Sequence, residues 1–354
     1  MALCVFGDAR MTAHLAPDTH DAPALATRIR SGNMRAAARA LRMIEEHTQG
    51  YLALLHELCA HRGHAHVIAL TGSPGSGKSS LINHLVHAYR RERCKVGVLV
   101  VDPTSPYSGG ALLGDRIRMQ DHALDDQVWI RSVATRGHLG GLSEATPMFL
   151  DVMDAYGCDV IFIETVGVGQ SELEVSTLAD TTVVVLAPGM GDDIQATKAG
   201  ILEVADIFVV NKADRDGADN TVRDLEDMIR VGAEVHSSAP DDHPSASDSE
   251  TTDAEGISHW KPSVIKTIAT DRPSIDDLVQ HCQAHQRWLQ ATLQIKKRRS
   301  ERDAATFEQV ARHVLARQLE LAYAPRLQQL SEQVLTGTMD PYEAAQSLLR
   351  TLEH

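Results

Sequence analysis

The segment Gly72-Ser73-Pro74-Gly75-Ser76-Gly77-Lys78-Ser79 constrains this chain more than any other stretch. An apolar run over 67–71 precedes it, and the helix-like run Ser80-Leu81-Ile82-Asn83-His84-Leu85-Val86 follows. Strand, G-x-x-x-x-G-K-S, helix is the context in which a loop wraps a phosphate chain. Glycines permit positive φ and close backbone approach. Successive N–H groups and a helix N-terminus then face the anion. The pattern assigns Gly72, Ser73, Pro74, Gly75, Ser76, Gly77, Lys78, Ser79 and Ser80 to nucleotide binding. Lys78 reaches the β- and γ-phosphates, and the Ser79 hydroxyl is a Mg²⁺ ligand.

Around that loop, apolar runs of strand length recur at 67–71, 96–101, 128–133, 160–164, 182–187, 207–210 and 264–269. They are rich in β-branched residues and do not alternate, as expected of parallel strands buried on both faces. Helical stretches separate them. The expected fold is α/β: a doubly wound, mostly parallel sheet forming a P-loop G domain over 65–281, with ligands at the carboxyl ends of the strands.

Helical extensions flank this domain. Residues 1–20 read as an irregular tail, and 23–61 read as two helices with a cap in Ser31-Gly32-Asn33, giving an N-terminal extension over 1–64. The Ser/Asp/Pro-rich stretch 236–258 reads as a disordered surface loop. From 282 to 354 the chain reads as helix. Trp288, Leu289 and Leu293 form a stripe before the basic cluster Lys296-Lys297-Arg298-Arg299; an amphipathic run covers 307–315, and a last helix begins at Pro341. Apolar helix faces outside a closed α/β unit need a partner surface. The segment is therefore expected to be a dimerisation arm, and the protein a homodimer.

Composition narrows the partners. Thirty-four basic against 48 acidic side chains give a net charge of −14, a poor match for nucleic acid or anionic membrane. No apolar run reaches membrane-spanning length. The five cysteines are scattered and none forms a C-x-x-C pair, so a disulfide framework or zinc knuckle is not expected and a reducing cytoplasm fits.

The base is read from Asn211-Lys212-Ala213-Asp214, directly after the run 207–210. In N-K-x-D the aspartate accepts from guanine N1 and the 2-amine. Adenine lacks both donors there and would leave Asp214 unmatched. Asn211 braces the loop, and the Lys212 stem covers the base. At another strand end, Glu164-Thr165-Val166-Gly167 offers a carboxylate for Mg²⁺ and a Gly167 N–H for the γ-phosphate. Asp102, closing the run 96–101, is a second candidate for the Mg²⁺ shell or for ordering water. Asp115 lies in the Gly-hinged loop after it, and a further Gly-hinged loop spans 189–198. Catalytic roles fall to Lys78, Asp102, Asp115 and Glu164, and metal ligation to Ser79, Asp102 and Glu164. The expected chemistry is attack of water on the γ-phosphate. Val168, rather than glutamine, follows Gly167, which suits slow hydrolysis.

These motifs resemble the MeaB/ArgK-type GTPases, chaperones of adenosylcobalamin-dependent acyl-CoA mutases. The resemblance rests on 72–79, Val101-Asp102-Pro103-Thr104-Ser105, Gly114-Asp115-Arg116-Ile117-Arg118-Met119, Glu164-Thr165-Val166-Gly167-Val168-Gly169-Gln170-Ser171-Glu172, Pro188-Gly189-Met190-Gly191-Asp192-Asp193-Ile194-Gln195 and 211–214. It implies a Mg²⁺-dependent GTPase that binds GTP or GDP, dimerises through its C-terminal helices and holds no cobalamin itself. Its partner would be methylmalonyl-CoA mutase or a relative, whose cofactor loading, protection and reactivation it would gate. Residues 102–119, 164–172 and 189–198 would match three switches. The base-binding S-A position reads Thr267-Ile268-Ala269: a hydroxyl is missing at Ile268, while the Ala269 backbone N–H still suits the guanine oxygen. Two other readings are a P-loop ATPase or kinase energising or regulating amino-acid transport, which the 211–214 motif opposes, and a metal-insertion GTPase, which needs a Cys/His cluster at the switches.

Overall fold

The computed structural model describes residues 21–102, 120–122, 124–134, 145–165, 171–189, 204–237 and 259–352, with the backbone alone at 102, 120, 134, 171–173, 232–237 and 352. The chain divides into two compact units, Met1–Ile295 and Lys296–His354.

The first unit is built on a seven-stranded sheet of order β3-β2-β4-β1-β5-β6-β7. Its strands are β1 (His66–Thr71), β2 (Val96–Asp102), β3 (Val128–Ala134), β4 (Val160–Thr165), β5 (Thr181–Leu186), β6 (Ile207–Asn211) and β7 (Ser263–Thr267). Every pairing is parallel. All residues of β1, β4, β5 and β6 are buried, so their lack of alternation reflects covering layers on both faces. One face carries α4 (Lys78–Arg91) and α8 (Arg272–Ala291), whose Leu81, Leu85, Ile275 and Leu278 pack on Ile68, Phe162, Val185 and Val209. Against the other face α7 (Ala218–Ser237) sets Leu225 on Val184 and Phe208. Among the described residues, α5 (Ala145–Ala155) lies beside β4, and α6 (Ser171–Leu178) beside β1 and β4.

Among the described residues the N-terminal extension holds three helices rather than two: α1 (Ala22–Arg30), α2 (Met34–Glu45) and α3 (Tyr51–Cys59). The break between the first two is the expected cap, with Asn33 accepting from Ala36 N and Gly32 at φ 79. Ala22–Arg30 forms a further helix because Asp21 caps it and Pro23 sits in its first turn. All three pack with α5. The Asp154 carboxylate of α5 accepts from Gly63 N (2.5 Å), His64 N (3.2 Å) and Ala65 N (3.1 Å), fastening the chain just before it enters β1.

A recurrent device finishes the amino edge of the sheet. Asp159, Asp180 and Asp206 each stand one residue before a strand, and each accepts a backbone N–H at the start of the neighbouring strand: Lys95 (2.6 Å), just before β2, Val67 (3.0 Å) in β1 and Thr182 (2.8 Å) in β5. Staggered parallel strands leave these first N–H groups beyond the ladder, and burying them without acceptors is costly. At the same edge Thr181 Oγ1 lies 2.7 Å from His66 Nε2 and 2.8 Å from His285 Nδ1, while His285 Nε2 lies 3.3 Å from Asp206 Oδ1. The carboxylate favours the proton on His285 Nε2. His285 Nδ1 then accepts from Thr181, whose oxygen accepts from His66. Both imidazoles are fully enclosed, so this hydroxyl–imidazole–carboxylate chain is structural. Burial pushes the thiols of Cys158 and Cys282 up to about 12, in keeping with inert core residues.

In the second unit α9 (Gln294–Leu335) and α10 (Pro341–Leu352) form an arm. The run 307–315 belongs to the much longer α9, because no breaker interrupts 294–306. Leu293 stands outside both α8 and α9 at φ 60 and is exposed, so the expected stripe ends at Leu289. Tyr323 departs from helical geometry two residues before Pro325, as the missing N–H and the proline ring require. Arg326 Nη2 donates to Ser347 Oγ at 2.7 Å, and Leu330 and Ala344 are buried. Phe307, Leu315, Leu321, Leu335, Tyr342 and Leu349 are exposed. The tail 1–20 and loop residues 238–258 lie outside the described residues, whereas 236–237 close α7.

Thr181→Val, which keeps the side-chain shape but removes the hydroxyl both imidazoles share, is expected to cost about 1–3 kcal/mol of stability. The urea midpoint measures this, and an unchanged midpoint would show that the chain contributes nothing.

Candidate nucleotide site

The carboxyl ends of β1, β4, β6 and β7 bring together residues from four distant parts of the chain. After β1 the loop turns sharply into α4, with Gly72, Gly75 and Gly77 at φ 129, 78 and 98. Two of these glycines are also needed for space. A Cβ on Gly72 would stand 2.1 Å from the Val185 carbonyl oxygen, and one on Gly77 would stand 2.4 Å from Asn211 Nδ2. α4 begins at Lys78 without a side-chain cap, so its first N–H groups face the loop, as an anion site requires. Ser76 Oγ is buried and has no hydrogen-bond partner among the described residues, which leaves it available to a phosphate oxygen. Lys78 Nζ folds back on the Gly72 and Ser73 carbonyls, at 2.5 and 3.1 Å.

Glu164, expected from the sequence as a strand-end carboxylate, is buried near the carboxyl end of β4, beside β1 in the sheet. Its Oε1 accepts from the Ser79 hydroxyl. A hydroxyl and a carboxylate in contact at the mouth of a phosphate loop form a hard-oxygen donor pair suited to Mg²⁺. The Asp102 backbone ends β2, but its side chain lies outside the described residues, as do Asp115, Gly167 and 190–198 of the third switch segment.

The base-reading segment is fastened to the phosphate loop. Asn211 Nδ2 donates to the Ser76 carbonyl at 2.8 Å, and Lys212 Nζ donates to the Gly75 carbonyl at 2.5 Å. On its other side Asn211 Oδ1 accepts from Thr267 Oγ1 at 3.2 Å, and Ala213 N donates to the Thr267 carbonyl at 3.1 Å. Lys212 adopts a left-handed φ of 58, and Asp214 is exposed. Ala269 is half-buried in the turn after β7.

The structure adds residues that sequence reasoning missed. The short 3-10 turn Gln120–His122 anchors the end of segment 103–119 on α4: buried His122 sets Nε2 3.2 Å from the Asn83 carbonyl, and its ring lies 4.2 Å from that of His87. Burial and the neighbouring His87 hold His122 and His84 below the usual imidazole range. The spacing of His84 and His87 on one helix face was the available signal, but nothing in the sequence pairs them with His122. Thr267 and Ser274 were likewise not singled out as side chains.

Comparison with known proteins gives the family. The family model described as "Methylmalonyl Co-A mutase-associated GTPase MeaB" matches residues 37–323. A protein of Pyrococcus horikoshii named as a GTPase is 41% identical over 93% of this chain and 97% of its own length. GTPase ArgK of Escherichia coli is 34% identical over 71% of this chain and 72% of its own. The mitochondrial methylmalonic aciduria type A homolog of Mus musculus is 31% identical, over 81% and 65%. Among solved structures, one titled as a LAO/AO transport system kinase aligns with TM-score 0.61 at 22% identity, covering 94% of this chain and 98% of that one, and shares its fold.

Gly72→Ala must displace the Val185 carbonyl. It is expected to weaken GDP binding by about tenfold or more, since strain of this kind costs on the order of 1–3 kcal/mol. A fluorescent-GDP titration reads this, and wild-type affinity would show that the loop does not need its close approach to β5.

Proposed function

The chain belongs to the family of methylmalonyl Co-A mutase-associated GTPases, and from that premise we propose that it is a Mg²⁺-dependent GTP switch serving an adenosylcobalamin-dependent acyl-CoA mutase. The chain is a GTPase, as its relatives are named. The observation that carries the switch reading is the continuous bonding from Thr267 through Asn211 to Ser76. It couples the loop that reads the base to the loop that holds the phosphates, so occupancy of one is felt at the other.

In this reading Asp214 accepts from guanine N1 and the 2-amine, Ala269 N–H donates to the guanine oxygen, and the Lys212 stem covers the base. The N–H groups from Gly75 to Ser80 and the Gly167 N–H take the phosphates. Lys78 exchanges its two carbonyl partners for β- and γ-phosphate oxygens, a stronger charge-assisted interaction. Ser79 and Glu164 hold Mg²⁺, with Asp102 completing the set or ordering water. The ion that Ser79 and Glu164 would hold would supply charge neutralisation to the phosphates. Asp102 and Asp115 orient the attacking water, and 102–119, 164–172 and 189–198 are the segments that answer to the γ-phosphate.

The partner assignment rests on the family's description and on the methylmalonic aciduria name of the mouse relative. The exposed apolar residues of α9 and α10 support a homodimer formed through that arm. No helix among the described residues is long and apolar enough to cross a membrane, and the net negative charge suits cytoplasmic work on a protein partner. The nucleotide state would gate loading, protection and reactivation of the mutase cofactor.

Asp214→Asn replaces one acceptor with a donor and is expected to weaken GTP by about 100-fold while improving xanthosine triphosphate, whose 2-oxo group accepts. Competition titrations decide this, and an unchanged base preference would remove Asp214 from the site. Tagged protein is expected to capture a candidate acyl-CoA mutase to different extents with GDP and with a non-hydrolysable GTP analogue. Equal or absent capture across the candidate mutases would overturn the partner assignment.

A further inference from the structure

The turn after β7 contains a clasp that the base-binding motif does not predict. Ile268, Ala269, Thr270 and Asp271 form a β-turn closed by Asp271 N donating to the Ile268 carbonyl at 2.7 Å. Ser274, on the first turn of α8, reaches back over it. Its Oγ accepts from Ile268 N at 3.1 Å and lies 3.1 Å from the Ile268 carbonyl and 2.9 Å from the Asp271 carbonyl, which share its proton. The backbone N–H of Ser274 is held by Asp271 Oδ2 at 3.1 Å, the N-cap of α8. One hydroxyl therefore ties both ends of the turn to a rigid helix. The Ala269 N–H, inside the turn, has no hydrogen-bond partner among the described residues. The turn also lies beside the base-reading loop, because Ala213 N donates to the Thr267 carbonyl.

We propose that Ser274 is the positioning residue for recognition of the guanine 6-oxygen, supplying from α8 the hydroxyl that is absent at Ile268. The inference rests on the guanine-site reading above and deepens it. A backbone N–H discriminates well only if it is held in place, since a donor free to drift accommodates poorer acceptors at little cost. Here the residue before Ala269 has its N–H and its carbonyl both engaged by Ser274, so the Ala269 N–H direction is fixed from outside the motif. Thr267 cannot take this role, because its hydroxyl is committed to Asn211. An aliphatic side chain at 268 is tolerated because the clasp uses only the backbone of that residue.

The test compares full-length wild type, Ser274→Ala and Ser274→Thr in competition titrations with GDP, inosine diphosphate and 6-thioguanosine diphosphate. The thio analogue changes only the 6-position, whereas the inosine nucleotide lacks only the 2-amine that faces Asp214. Ser274→Ala is expected to weaken GDP by about five- to twentyfold, the effect of losing one to two hydrogen bonds. The preference for GDP over the thio analogue should shrink by a similar factor, while the preference over inosine diphosphate stays as in wild type. Ser274→Thr should restore both affinity and preference. Equal weakening of all three nucleotides, or no weakening, would overturn the role and leave Ser274 as a helix-cap residue. If wild type itself does not prefer GDP over inosine diphosphate, the guanine-site reading fails first, and this inference falls with it.

Discussion

The side-chain amide of Asn211 is the interaction on which the rest of the site depends. Its Nδ2 bonds the Ser76 carbonyl and its Oδ1 takes the Thr267 hydroxyl. An amide offers a donor and an acceptor on opposite sides of one rigid plane, so it can hold two loops at a fixed separation. That separation also explains Gly77. The amide lies where a Cβ would be, so the phosphate loop, the base loop and the turn after β7 come together only with glycine there. Aspartate would lose the donor to Ser76, and a shorter side chain would reach neither loop.

The sheet separates its two ends by function. At the carboxyl ends, polar groups are held with capacity to spare: Lys78 on loop carbonyls it can leave, Ser79 against Glu164, and the Ala269 N–H in a clasped turn. At the amino ends, polar groups are committed to the fold. Asp159, Asp180 and Asp206 close the strand ends, and Thr181 bridges two buried imidazoles. Thr181, His285 and Asp206 are residue types that elsewhere perform nucleophilic catalysis. Their enclosure at the edge opposite the phosphate loop makes them a proton-ordered brace instead, because no substrate can reach the hydroxyl. The rigid amino edge gives the loops at the other end a fixed base.

Much of this was legible before any coordinates. The seven strands follow from unbroken β-branched runs, and the phosphate loop from glycine spacing between a strand and a helix. The base loop follows from four residues at a strand end. The sequence puts Glu164 at a strand end, and its contact with Ser79 joins residues 85 positions apart. The misses have physical causes. The helix Ala22–Arg30 is only nine residues long, and its start rests on a cap at Asp21 rather than on apolar periodicity. Leu293 fits a helical stripe by spacing, but a left-handed residue there separates two helices. Ile268 leaves the local motif without a hydroxyl, while the hydroxyl that bonds its backbone sits six residues on, in α8.

By itself the sequence determined what depends on local backbone chemistry and on period: which segments become strands or helices, where φ must be positive, and where the phosphate-loop and N-K-x-D motifs stand. These properties are set within a few residues, since glycine freedom, strand propensity and helix capping act at that range. The tertiary structure alone decided which distant groups meet. It set Asn211 against Ser76, Glu164 against Ser79, His122 against α4, Thr181 between His66 and His285, and Ser274 over the turn before its own helix. A side chain's partner across the sheet is fixed by strand order and register, which no single stretch encodes. The P-loop that most constrained the fold thus meets partners 85 and 135 positions away.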